Sequence, residues 1–510
     1  MPRRMSLRAR LGWLGGILLV GMALRVSLFG GLLGWDDLEY RAAADGLLAG
    51  DWVPRSMFWT RYGLILPLAL SRWAFGAGEH AAALVPLGYS LAGLLLAYAL
   101  GRAAGGAALG LAAAALLALV PLDVIGATDL HTDLPLGVLW AATVYAVGQG
   151  EAAARPRGRW YFAAGLLFGM AYLTKEVALA LGPVLLIRAL GRRREWLGYG
   201  RLAGGFGLIV AADLCWLAWL TGSPLYAFSP AVSRLHVAHM RLLPPGHGWM
   251  LDYLDMLLDP LAGSFGYFAG IFYLVLAGLW WGLRRGQAAV RQWGLWWGIP
   301  LLIFSVAPLD RSLTRPLFFH FARTLHPLLI PFVLTAAAWL VGGLGVRPRL
   351  RAGLGLAFAA LAAVGTWGAH VDYRAWASVA RRLAPVVARE PGSTIVVADP
   401  TTTNLLRALL PGRRDRIVSY TEPEAPDPPP DALVVCDPVF IASELRVGHR
   451  VPPSVLVPPP AWRKVAEVRR PERMSLRGLA AALVDRLLGW PAPPGPPGDG
   501  ARAVLWRVAG

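Results

Sequence analysis

The sequence predicts a polytopic α-helical membrane protein of about eleven spans, followed by a small C-terminal α/β domain on the extracytoplasmic side. Three observations lead there. Of 510 residues 56% are hydrophobic and 22 are Trp, above the roughly 45–50% of soluble domains. Apolar runs near the length that crosses about 30 Å of hydrocarbon recur along the first 370 residues. Beyond residue 370 the runs shorten, become β-branched and alternate with Pro-rich pieces.

The spans read as 11–33, 80–101, 105–121, 133–150, 160–174, 177–190, 203–221, 262–283, 292–309, 324–344 and 351–369. A further stretch, 62–76, is short and broken by Pro67, and reads as half-inserted or interfacial. Alternating the spans places Arg3, Arg4, Arg8, Arg10, Arg102, the Arg155/Arg157/Arg159 turn, Arg192–Arg194 with Arg201, Arg284, Arg285, Arg291, Arg347, Arg349 and Arg351 on one side. By the positive-inside rule that side, with the N-terminus, is cytoplasmic. The other side receives the 34–61 loop, the 122–132 loop, the Lys175 turn, the 222–261 loop and the 310–323 loop, and with them nearly all the acids outside the tail. The net charge of +18 is therefore an orientation signal, and nucleic acid is excluded as a partner. Membrane lipid is the implied surroundings. Cys215 and Cys436 stand far apart and imply no disulfide framework.

In the tail, Ser393-Thr-Ile-Val-Val-Ala-Asp399 and Asp431-Ala-Leu-Val-Val-Cys-Asp437 read as buried parallel strands. The division is 1–370 for the membrane domain and 371–510 for the soluble one. The pieces 421–430, 452–460 and 491–498 are Pro-rich loop or tail.

The first outer loop packs Asp36, Asp37, Glu39, Asp45 and Asp51 together. Tyr40, Ala43, Ala44, Leu47 and Leu48 fall at helical spacing on one face, and Asp37, Arg41 and Asp45 on another. An amphipathic helix lying in the membrane interface is expected. The plainer alternative makes Asp36-x-x-Glu39 a capping box that only starts the helix. Ionisable residues at the membrane default to functional candidates. Besides Asp36 and Asp37 these are Asp123, Asp129, His131 and Asp133 in the second outer loop, and the cations Lys175 and Arg323. Carboxylates facing cations suit transfer between a hydroxyl and a lipid phosphate: the acid takes a proton, the cation holds the phosphate. His236, His239 and His247 in the long outer loop read as ordinary loop histidines. Arg234 and Arg241 read equally as contacts to an anionic substrate or to headgroups, and Asp213 as a structural acid within a span.

Four motifs then carry a resemblance. Asp36-Asp-Leu-Glu-Tyr-Arg-Ala-Ala-Ala-Asp-Gly-Leu-Leu-Ala-Gly50 resembles the first-loop motif of C-type (GT-C) membrane glycosyltransferases, in the branch of protein O-mannosyltransferases and lipid A aminoarabinose transferases. Thr132-Asp-Leu-Pro-Leu136, Gly165-Leu-Leu-Phe-Gly-Met-Ala-Tyr-Leu-Thr-Lys175 and Arg323-Thr-Leu-His-Pro-Leu-Leu-Ile-Pro331 resemble three further motifs of that branch, in the same order, across roughly residues 10–345. The chain departs from the pattern at Asp37 (usually Glu), Thr324 (usually Tyr) and Glu176, which is placed to pair with Lys175.

The resemblance implies an inverting transfer of a sugar from a polyprenyl-phosphate donor to an acceptor hydroxyl of a protein, a lipid or a glycan. The reaction would run on the outer face of a bacterial inner membrane. Asp36 would be the base, Asp37 and Asp133 would orient the acceptor, and Lys175 and Arg323 would hold the donor phosphate. Tyr40, Asp129, His131, Arg234 and Arg241 are candidate substrate contacts. A divalent cation, Mg²⁺ or Mn²⁺, is left open, with Asp36 and Asp133 its ligands if one is bound. A transporter of lipid-linked sugars is the rival reading; it predicts repeats and charges at span centres, whereas these acids stand at span ends. A non-catalytic scaffold presenting the tail domain leaves the clustering of acids and cations without a reason.

Overall fold

The computed structural model describes the chain except at residues 1–4, 52, 153–157, 230–231, 233–246, 309–313, 318–319, 344–346, 391, 398, 420–426, 447–450, 470–501 and 510. The chain divides into two compact units, Met1–Gly31 with Glu39–Thr366, and Leu32–Leu38 with Trp367–Gly510.

The first unit is helical: α1 (Leu7–Ser27), most of α2 (Asp36–Leu48), α3 (Tyr62–Phe75), α4 (Glu79–Gly105), α5 (Ala107–Leu119), α6 (Pro121–Gly126), α7 (Asp133–Ala152), α8 (Gly158–Thr174), α9 (Gly182–Leu190), α10 (Trp196–Thr221), α11 (Asp252–Leu258), α12 (Ile271–Arg284), α13 (Ala288–Val306), α14 (Leu329–Ala338) and the start of α15 (Pro348–Ala388). Among the described residues five helices are long and apolar enough to cross a membrane: Leu7–Ser27, Glu79–Gly105, Arg193–Thr221, Ala322–Gly343 and Pro348–Arg374. Of the remaining runs, 133–150 forms the 20-residue α7 and 292–309 falls largely in the 19-residue α13, while the others appear as shorter or interrupted helices for local reasons. The 177–190 run begins as a 3₁₀ turn, Glu176–Leu181, before Gly182 and Pro183 open α9. The 324–344 run enters through a 3₁₀ turn, Ala322–Leu328, that contains Pro327, which cannot donate to an α-helical ladder. α14 then continues with every residue buried, as expected of a helix that is apolar all round.

Small residues set the close contacts. A Cβ on Gly165 of α8 would lie 2.1 Å from the Leu202 carbonyl oxygen of α10, and one on Gly205 would lie 2.5 Å from the Phe162 carbonyl oxygen. Such small-residue seams let helix backbones approach inside a bilayer, and this seam fixes the rod whose end carries Lys175.

The amphipathic helix forms over the expected residues, but most of its apolar side is covered by protein, Leu48 remaining exposed. Tyr40, Ala43 and Ala44 are buried against Trp59 and the α3 side chains Leu64, Ile65, Leu68 and Ala69. Its acids are also engaged otherwise than expected. Arg72 of α3 donates to both oxygens of Asp45 at 2.7 and 2.9 Å, while Arg41 stands 3.9 Å from Asp45. Glu39 accepts from Ser56 Oγ at 3.0 Å and Trp59 Nε1 at 3.3 Å, so it does not reach back as a capping box would.

The second unit contains a five-stranded sheet in the order β2-β1-β3-β5-β4, with β1 (Ile395–Val397), β2 (Ile417–Ser419), β3 (Leu433–Cys436), β4 (Arg463–Arg469) and β5 (Arg502–Arg507). β1 runs parallel to β2 and β3, while β5 runs antiparallel to β3 and β4. β1 and β3 are buried at every position, the mark of strands covered on both faces. Helix α16 (Pro400–Leu409) follows β1, and its N-cap Asp399 accepts from the Thr402 N–H at 2.6 Å. Leu32, far upstream, packs into this core with Leu383, Val387, Leu405 and Leu505.

Candidate active site

In the first unit the site is built on the turn between α5 and α7. Pro121 opens the single-turn helix α6, a position where its missing N–H costs nothing. The chain from Val120 to Trp140 is buried throughout. Within it Asp123, Thr128, Asp129, His131, Thr132 and Asp133 are each no more than 4% exposed. Polar groups so buried need partners, and the partners define the site.

Asp123 is gripped by Arg25, a fully buried arginine of α1. Arg25 Nη2 lies 2.5 Å from Asp123 Oδ1, which also accepts from Ser90 Oγ at 2.5 Å. The same guanidinium donates to Ser90 Oγ at 2.7 Å and to the Gly21 and Ala118 carbonyls at 2.9 and 3.2 Å. Burial pushes the Asp123 carboxyl up, but Arg25 and then His326 outweigh it and hold the group below its ordinary range. On the far side His326 Nε2 lies 3.5 Å from Asp123 Oδ2. Its ring is 5.3 Å, centroid to centroid, from that of His131. Gly126 makes room for both imidazoles, since a Cβ there would come within 2.7 Å of one and 2.8 Å of the other.

His131 Nδ1 accepts the Asp133 backbone N–H at 3.2 Å, so the ring proton resides on Nε2. Burial first, then the neighbouring His326, with Arg323 and Lys175 beyond, press its pKa well below the ordinary histidine value against the upward pull of Asp133. The imidazole is thus held neutral.

Asp133 starts α7, where a carboxylate also favours the helix dipole. Its Oδ1 receives the Lys175 ammonium at 2.5 Å. Lys175 reaches it because α8 ends one residue earlier. The lysine backbone is extended (φ −165°, ψ 133°), which throws its side chain out of the helical register. The expected Glu176 partnership is thereby replaced: the ion pair is formed with an acid 42 residues away in sequence. Arg323 opens the 3₁₀ turn ahead of α14, its guanidinium 5.5 Å from the Phe321 ring centroid.

Tyr40 is not open to a substrate. Its ring is buried, its hydroxyl accepts from Arg61 Nη1, and the same nitrogen lies 3.5 Å from Thr132 Oγ1. Arg61 stacks over Tyr40 and Phe58, tying the first-loop helix to the second-loop motif. Arg61, Arg25, Ser90 and His326 escaped the sequence reading. Arg25 and Ser90 lie inside apolar runs, and His326 stands in a quoted motif without being singled out. Asp129 is buried with its N–H 3.4 Å from the Gly126 carbonyl. Arg234, Arg241, His236 and His239 lie outside the described residues.

Asp36 and Asp37 fall within the second unit, and the structure separates their roles. Asp37 is buried, and both its oxygens serve the preceding loop: Oδ2 accepts from the Leu33 and Gly34 N–H groups at 2.7 and 3.2 Å, Oδ1 from Trp35 at 2.6 Å. Burial pushes its carboxyl up against the downward pull of those donors. Gly34 is required where it stands. Its φ is +97°, and a Cβ would sit 2.9 Å from the Thr401 carbonyl oxygen. Asp37 is therefore a loop organiser, not the orienting residue expected of it. Asp36, at intermediate exposure, is the more accessible carboxylate of the pair.

Among the described residues no group of three or more His, Cys, Asp or Glu is placed to hold a metal ion. Asp133, with an ammonium on its Oδ1, is a poor match for a cation ligand.

Residues 66–219 match the family model described as dolichyl-phosphate-mannose-protein mannosyltransferase. No curated protein matches the chain in sequence. Among solved structures the fold is similar to that of ArnT from Cupriavidus metallidurans in the apo state, with TM-score 0.62 and 18% identity over 98% of this chain and 99% of that one. It is similar also to the same protein bound to undecaprenyl phosphate, with TM-score 0.57 and 17% identity over the same shares. The Archaeoglobus fulgidus oligosaccharyltransferase in the apo form follows with TM-score 0.52 and 13% identity, covering 78% of this chain and 63% of that one. Over nearly its whole length this chain thus has an ArnT-like fold, and residues 66–219 carry the mannosyltransferase match. With five helices long and apolar enough to span among its described residues, it is an integral membrane protein, and the buried Asp133–Lys175 and Arg25–Asp123 pairs lie in its helical unit.

Proposed function

We propose that this chain is a C-type membrane glycosyltransferase that takes its sugar from a polyprenyl-phosphate donor and transfers it, with inversion, to an acceptor hydroxyl on the extracytoplasmic face. The observation that carries this is the Lys175 ammonium, fixed beside buried Asp133 at the broken end of α8, with Arg323 at a second motif position. A lysine has three donors. Asp133 takes one and aims the group, and the others serve a phosphate. The fold likeness to a protein solved with undecaprenyl phosphate supports the donor class.

In this reading the acceptor oxygen attacks the anomeric carbon as the carbon–oxygen bond to phosphate breaks. The hydroxyl proton goes to Asp36, and the polyprenyl phosphate leaves with its negative charge met by Lys175 and Arg323. The neutral His131 and the Arg25–Asp123–His326 array position Asp133 without carrying charge to substrate. The sugar and the acceptor class, whether protein, lipid or glycan, are set by contacts beyond this core.

The test is consumption of the donor. Purified protein in vesicles, given polyprenyl-phosphate sugars and a hydroxyl acceptor, should release polyprenyl phosphate and glycosylated acceptor. Lys175→Ala and Arg323→Ala should each raise the donor KM or lower turnover. Movement of intact donor across the bilayer without its consumption would establish the transporter reading instead.

A further inference from the structure

Away from this site the first unit holds a cavity of about 540 Å³ that the transfer reaction does not use. It lies among the ends of α4, α7 and α9 and the start of α13, and Val184, Leu185, Trp293 and Trp296 form part of its wall. The volume is that of a small-molecule site. Two features describe what fits it.

First, its rim carries exposed apolar side chains. Ile187 and Leu295 both line the cavity and are 44% and 42% exposed, so in a membrane protein the mouth meets hydrocarbon and not water. Second, one end is polar and built. The buried carboxylate of Glu151 accepts from Arg188 at 2.7 and 2.6 Å and from the Tyr199 hydroxyl at 2.8 Å. That leaves Arg192, 39% exposed and only 3.4 Å from either of its acids, as the looser cation of the rim. Arg193 and Arg194, both exposed, follow it.

We infer that this cavity is a binding site for an anionic glycerophospholipid of the arginine-rich leaflet, its acyl chain along Val184, Leu185 and Trp293 and its headgroup at Arg192. An apolar mouth and a rim whose looser cation is Arg192 ask together for a ligand with a hydrocarbon chain and negative charge. Basic pockets between membrane helices bind anionic headgroups on this physical ground.

The experiment uses the full chain in phosphatidylcholine vesicles doped with phosphatidylglycerol carrying a photoreactive diazirine in one acyl chain. After irradiation, adducts are mapped by peptide mass spectrometry. They should concentrate on residues 184–187 and 292–296. They should fall about fivefold when the photoreactive lipid carries a choline headgroup, the effect of roughly one arginine contact at an anionic surface. Arg192→Gln should produce the same fall, Arg194→Gln should not, and Leu185→Trp should abolish the adducts by filling the cavity. Equal labelling by the two headgroups in the unaltered protein would overturn the inference whatever the variants do. So would adducts spread evenly over other exposed helices, or adducts displaced by equimolar undecaprenyl phosphate, which would assign the cavity to a carrier lipid.

Discussion

Asp36 and Asp37 are neighbours of one chemical type, and the structure predicts opposite consequences for changing them. In Asp37→Asn a single amide oxygen replaces two carboxylate oxygens that accept from Leu33, Gly34 and Trp35. If the oxygen stays on the Leu33 and Gly34 side, the amide NH₂ faces the Trp35 N–H and that bond is lost. The remaining two fall from charge-assisted to neutral strength. Charged-group bonds are worth about 1.5–3 kcal/mol and neutral ones about 0.5–1.5. Relief of burying a charge offsets part of the loss, leaving a net destabilisation of about 2–4 kcal/mol. Asp36→Asn, at the first helical residue of α2 and at intermediate exposure, loses only a carboxylate's attraction to the helix dipole and should cost about 0.3–1 kcal/mol. It should nonetheless lower turnover by about 10²–10⁴, the worth of a general base. The assay pairs thermal unfolding of each purified variant with its rate of polyprenyl phosphate release. Asp36→Asn should be stable, donor-binding and nearly inactive; Asp37→Asn should be unstable, with residual activity in the folded fraction. Full turnover by Asp36→Asn would remove the base from that residue. A fully stable but inactive Asp37→Asn would move the base to Asp37.

Other perturbations separate positioning from chemistry. Lys175→Ala strands the buried Asp133 carboxylate, and breaking such a pair costs about 3–5 kcal/mol; Lys175→Ala with Asp133→Asn should regain much of the stability and none of the activity, read by thermal unfolding beside donor turnover. His131 is held neutral in the fold, its pKa below the unfolded value near 6.5. Its contribution is therefore intact above about pH 6.5 and falls by roughly 1.4 kcal/mol per pH unit below it, as the unfolded chain takes up a proton that the folded chain refuses. His131→Gln should flatten that acid limb in unfolding measured from pH 7 to pH 5, and an unchanged limb would place the proton elsewhere. Gly126→Ala puts a methyl against both imidazoles and should cost about 1–3 kcal/mol as an overpacked core does, with the KM for donor changing less than kcat.

Much of this architecture was legible in the chain, and the gaps have physical causes. The helix over 36–48 shows in the spacing of Tyr40, Ala43, Ala44 and Leu47, because period alone reveals an apolar face. Period does not reveal what covers that face, and Trp59 with α3 covers it where lipid was expected. The strands at 395–397 and 433–436 sit within the two β-branched runs that end in Asp399 and Asp437. Lys175 was legible as a candidate for the site, but its partner was not. Glu176 is adjacent and Asp133 is 42 residues away, and only the extended backbone at the end of α8 decides between them. Arg25 reads in sequence as one more charge near the end of a span, since nothing local marks the acid that neutralises it.

That acid lies 98 residues downstream, which matters while the protein is being made. A ribosome adding about 5–20 residues per second needs roughly 5–20 seconds to extend from Arg25 to Asp123. During that interval the first helix must hold a cation whose insertion at mid-bilayer would cost about 2.5–3.5 kcal/mol. Its place in the last turn of α1 lets the guanidinium reach headgroups meanwhile. Arrival of the α5–α6 turn then draws the arginine inward, so that closing this one pair marks the moment when the helices synthesised first become committed to the bundle.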